Sequence, residues 1–155
     1  MKQYELDTPA LLVDLNKMER NIEAMTKFAR DVGVNLRPHV KTHKTPEIAH
    51  RQLGAGAKGI CVQKLGEAET MAKAGINDIF ITNQVVGNLK IRRLTALAQH
   101  CNVSVAVDSS ENVQALSSAA REAGVEIGAF IEVDCGLHRC GVQPGRNVFR
   151  LAEYT

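Results

Sequence analysis

The residues best equipped for chemistry lie in one short run, Arg37-Pro38-His39-Val40-Lys41-Thr42-His43-Lys44. It reads as the end of a β-strand that passes through a loop into a helix. Thr45 is a good N-cap, Pro46 suits the first helical position, and Glu47 favours the positive end of the helix dipole. Alternate side chains of a strand share a face, which puts Arg37, His39 and Lys41 together. Three basic groups on one face are costly inside an apolar core. They suit either a strand end that opens onto a negatively charged ligand or an exposed basic edge strand.

The same chemistry-bearing pattern recurs along the chain. Lys41, Gln63 with Lys64, Asn83, Asp108 and Asp134 each stand where an apolar strand stops. In parallel α/β folds that carboxyl edge is where ligands bind. These residues therefore read as a ring around one site, although loops and helix caps call for polar residues on their own account.

The elements that must hold this ring alternate regularly. Strands are expected at 10–13, 34–41, 58–63, 78–83, 102–108 and 126–134. After the first strand, Asp14 or Asn16 caps a helix whose buried stripe is Leu15, Met18, Ile22, Met25 and Ala29, ended by Gly33. Further helices are expected at 46–53, 66–74, 88–100 and 110–123, with Ser110 as a cap, and a partial one from Gly145. This alternation defines βαβ units and a parallel sheet. The runs Ile60-Cys61-Val62, Ile79-Phe80-Ile81 and Val103 to Val107 alternate little, as strands covered on both faces do. Neither GxGxxG nor a P-loop follows any strand.

Composition narrows the function. With 45% hydrophobic and 23% charged residues in 155, the chain is a globular domain. A net charge of +2 and 4% aromatics argue against nucleic acid. No run approaches the ~18 apolar residues of a membrane span, and a cytoplasmic location is expected. Cys135, His138 and Cys140 could be read as metal ligands, but a fourth is missing and the spacing is not CxxC. Reduced, partly buried thiols fit better.

The run from Arg37 to Lys44 resembles the lysine motif of D-threonine aldolases and eukaryotic-type D-serine dehydratases, which are alanine racemase-like, fold-type III pyridoxal phosphate enzymes. Supporting stretches are Asp7-Thr8-Pro9-Ala10-Leu11, Gly59 to Lys64 with Glu67-Ala68, Asn83 to Gly87, and Val133 to Val142. They follow the family's order over nearly the whole chain. The resemblance implies a parallel (β/α)8 barrel with pyridoxal 5'-phosphate at its carboxyl mouth and a D-β-hydroxy-amino acid as substrate. Lys41 matches the Schiff-base lysine, with Lys44 and Lys64 as competitors. His39 and Gln63 are expected beside the cofactor, Asn83 near the substrate, and Arg139 near the cofactor's phenolic oxygen or the substrate carboxylate.

Length departs from the family. A closed barrel takes about 250 residues, so residues 1–155 would supply about five of its strands as an incomplete N-terminal portion. The phosphate cup, and a β-domain with a divalent-metal site (Mn, Mg or Zn), would then lie outside. The expected reaction is cleavage of D-threonine to glycine and acetaldehyde by a homodimeric lyase. The alternatives are elimination of water from D-serine and a non-catalytic αβ fragment.

Overall fold

The computed structural model describes residues 2–155. Its centre is a four-stranded parallel sheet in the order β1-β2-β3-β4: Ile60–Val62, Asp78–Ile81, Asn102–Val107 and Gly128–Ile131. Each strand pairs with its predecessor in the chain, as in Ile60 opposite Ile79, Ile79 opposite Val103, and Val105 opposite Ala129. Helices α1 (Leu15–Asp31), α2 (Pro46–Gly54), α3 (Leu65–Lys73), α4 (Asn88–Ala98), α5 (Ser110–Ala123) and α6 (Arg146–Tyr154) complete the chain. From β1 onward the β/α alternation read from the sequence is present.

Alternation along the strands separates two faces. Ile60, Val62, Ile79, Ile81, Val103, Val105 and Val107 are almost wholly buried and form the core with Ala68, Met71, Leu94, Leu97, Val113 and Leu116 of the helices. The other face carries Cys61, Asp78, Phe80 and Ser104, all partly exposed. The strands are thus covered on one face and half open on the other, where cover on both faces was expected. Phe80 and Phe130 meet on the open face with ring centroids 4.6 Å apart.

Two expected strands are not strands. Residues 10–13 pair with nothing among the described residues, and Leu11 is 95% exposed. Between 34 and 41 the chain runs beside β1 through one bridge, His39 with Cys61, and two hydrogen bonds in which Leu36 and Pro38 accept from Lys58 and Cys61. Pro38 has no N–H to extend the ladder. The stretch then closes into a single 3-10 turn at Val40–Thr42, which contains Lys41. The sheet therefore has four strands plus this bridged segment where six strands were expected, about five of them belonging to the barrel.

Side-chain capping also differs in detail. Asp14 caps α1, accepting from the Lys17 N–H. Ser109 caps α5 in place of Ser110, and the Thr45 hydroxyl donates to the His43 carbonyl instead of capping α2. In α1 the buried residues are Thr26 and Ala29, while Leu15 and Met25 are more than half exposed.

Candidate active site

Lys41 is placed by its neighbours in the chain. Val40 is completely buried and pegs the 3-10 turn into the core, and the Lys44 N–H closes the turn onto the Val40 carbonyl at 2.7 Å. The exit is tight, because Lys44 takes φ +50°, a conformation that costs a residue with a Cβ. Lys41 itself is exposed, and its Nζ donates to Gln63 Oε1 at 3.2 Å, just past the end of β1.

Gln63 is fixed in turn by Glu67, a buried carboxylate in the first turn of α3. Glu67 Oε2 accepts the Gln63 N–H at 2.8 Å, and Oε1 faces Lys44 Nζ at 3.4 Å. Lys44 is thus exposed, as its place before α2 suggests, but it is also tied to α3. Lys64 is the N-cap residue of α3 and lines the same groove as Gln63 and Asn83, so it is not turned away from that side as strand parity suggested.

His39 lies on the far side of Lys41. Its Nε2 is 3.0 Å from Thr82 Oγ1, and its Nδ1 accepts the Lys41 N–H at 3.3 Å. Burial pushes the imidazole pKa down, Lys41 pushes it down further, and Glu67 opposes them. Thr82 was not singled out from sequence. Its signal is register: it continues β2 two residues beyond Phe80, the position level with Cys61 and hence with His39.

Arg37 is not part of the site. It reaches β2 at the opposite, amino end, where its guanidinium forms a two-pronged bond to Asp78 at 2.8 and 3.1 Å. The three basic residues therefore do not act as one face. Arg37 crosses Gly59, where a Cβ would meet its guanidinium and lie 2.7 Å from the Asp78 carbonyl.

A second polar cluster follows β4. Asp134 is buried and accepts from the Gly136 N–H at 3.0 Å, the His138 N–H at 2.9 Å, the His138 ring at 2.8 Å and Gln143 Nε2 at 3.2 Å. The backbone N–H groups of His138 and Gly136 hold its pKa below the usual carboxylate value. Asp108 accepts the Gly141 N–H at 3.1 Å. Both carboxylates thus brace the loop. Nearby, Glu132 accepts from Gln84 Nε2 at 2.6 Å and from the Cys140 thiol at 3.0 Å.

Lys41, His39 and Gln63 are joined by hydrogen bonds from the Lys41 backbone and amine. Arg139 is exposed in the loop beside Cys140 and Glu132, and no hydrogen bond or ion pair joins it to those three among the described residues. Asn83 is exposed, accepts the N–H of its neighbour Gln84 at 3.2 Å, and shares a groove with Gln63. Cys135, His138 and Cys140 do not converge, since they turn to Val133, Asp134 and Glu132 respectively.

The chain belongs to the family described as alanine racemase, N-terminal domain, which matches residues 13–155. Within it, the chain is 47% identical over 148 residues to a D-threonine aldolase of an Arthrobacter species, covering 96% of this chain and 39% of that protein. It is 40% identical over 137 residues to a D-threo-3-hydroxyaspartate dehydratase of Delftia sp. strain HT23, covering 88% and 36%. A crystal structure of D-threonine aldolase from Filomicrobium marinum superposes with a TM-score of 0.97 at 44% identity, covering 98% of this chain and 41% of that one. The chain therefore spans about two fifths of these relatives' length.

Proposed function

We propose that these residues form the lysine-bearing part of a pyridoxal phosphate-dependent lyase that cleaves D-β-hydroxy-amino acids, with D-threonine as the type substrate. The observation that carries this is the Lys41 amine at the strand edge, 3.2 Å from Gln63. The 47% identity to a D-threonine aldolase supports the choice of reaction.

The residues present fit the aldehyde end of that cofactor. The exposed Lys41 amine has a neutral amide as its partner, without the fixed charge that a carboxylate would put beside it. Bound pyridoxal phosphate supplies an aldehyde that takes up an amine and a conjugated ring that accepts the electrons of a bond broken at Cα. Gln63 orients the Lys41 amine, and His39 holds the backbone beneath it. Arg139 would offer its planar guanidinium to a carboxylate or phenolic oxygen. Asn83 shares a groove with Gln63 and would meet the substrate there.

A second reading shares the same lysine. The 40% identity to a dehydratase motivates this alternative, in which the Cα proton and the β-hydroxyl are lost and the Cα–Cβ bond stays intact. Products decide between them, since aldol cleavage releases an aldehyde and dehydration releases ammonia. A cytoplasmic location fits the four free thiols.

The direct test is borohydride reduction of the chain in the presence of pyridoxal phosphate, followed by peptide mapping. Label is expected on the peptide at Lys41. Label at Lys44 or Lys64 instead would overturn the assignment.

A further inference from the structure

We infer that His39 is a positioning residue for Lys41, a neutral imidazole locked as the Nε2–H tautomer by bonds at both of its nitrogens. This deepens the reading of Lys41 as the reactive amine and rests on it.

The assignment follows from counting protons. The backbone N–H of Lys41 points at His39 Nδ1 at 3.3 Å, so Nδ1 must present a lone pair. In a neutral ring the proton then sits on Nε2, which donates to Thr82 Oγ1 at 3.0 Å. Thr82 in turn has one hydroxyl proton, and the Val62 carbonyl stands 3.0 Å away to accept it. One tautomer satisfies all three bonds. The opposite tautomer would set two donors against each other at Nδ1.

This chain of bonds ties the Lys41 backbone to the ends of both β1 and β2. It also uses both ring nitrogens, so His39 has none left with which to hold a cofactor or move a proton. Protonation would remove the lone pair that receives the Lys41 N–H and add a positive charge beside the Lys41 amine. The charged and titratable groups around the ring are Lys41 on its own segment, Glu67 on α3 and Cys61 across the bridge on β1. From β2 only the neutral Thr82 meets it by a hydrogen bond.

Thr82→Val tests the relay cleanly. The Val62 carbonyl keeps the Thr82 backbone N–H at 2.9 Å, so the substitution leaves no acceptor orphaned. Side-chain ¹⁵N NMR of the chain without cofactor should show His39 neutral and protonated at Nε2 at neutral pH, with that Nε2 proton exchanging faster with solvent in Thr82→Val, which removes its acceptor. Borohydride trapping of pyridoxal phosphate at Lys41 should slow roughly fivefold in Thr82→Val, the effect of one hydrogen bond, and recover in Thr82→Ser. A wild-type ring protonated at Nδ1, or equal trapping rates in wild type and Thr82→Val, overturns the inference even when Lys41 is the trapped residue. Trapping elsewhere with the tautomer intact sinks the Lys41 reading, and the positioning role with it.

Discussion

Glu67 shows how much of the Lys41 loop hangs on one carboxylate. It binds the Gln63 N–H with one oxygen and faces Lys44 with the other while almost fully buried. Glu67→Gln keeps an acceptor for Gln63 but removes the charge, and should cost about 1–2 kcal/mol in urea unfolding. The histidines add a pH term. Burial lowers the pKa of both His39 and His43 from the ordinary 6.5, so the unfolded chain binds more protons on acidification. Their contribution is complete above pH 6.5 and is lost as pH falls through the lower folded values. Urea midpoints should therefore drop between neutral and mildly acidic pH, and less steeply in His39→Asn. Arg139→Lys keeps the charge but loses the planar fork. It should raise the Kd for pyridoxal phosphate by roughly tenfold; an unchanged value would make Arg139 a loop residue only.

At the scale of elements, Gly59 is the tightest point. Its lack of a side chain lets Arg37 cross to Asp78. Gly59→Ala should cost about 1–3 kcal/mol by overpacking, and thermal unfolding would report it as a lower Tm. The sequence could not reveal this crossing, because strand parity aligned Arg37 with His39 and Lys41 while saying nothing of which end of β2 each would reach. What was legible was whatever period and punctuation carry: the βα alternation from β1 onward and the glycines that close α1, α3 and α5. Thr82 was hidden because its role depends on the register between β1 and β2, a long-range property. Residues 10–13 and 34–41 look like strands by composition. A strand also needs a partner, and theirs are missing or reduced to one bridge.

For the molecule as a whole, β4 is the exposed flank. Within the described residues it pairs only with β3, and Phe130 is 52% exposed. An apolar unpaired edge promotes association. Sedimentation should therefore show concentration-dependent dimers or larger species, and Phe130→Lys should shift them toward monomer. A wild-type chain that stays monomeric at high concentration would contradict this. The order of the strands has a further consequence, for how the fold is reached. Since each strand joins the one made just before it, no ladder has to wait for a distant stretch of sequence, and the loops that must close are all about one βα unit long. Structure can therefore accrete from the amino end during synthesis. A nascent chain that has just released Val107 already contains every residue of the β1-β2-β3 ladder, with Lys41 and both of its bracing partners in place.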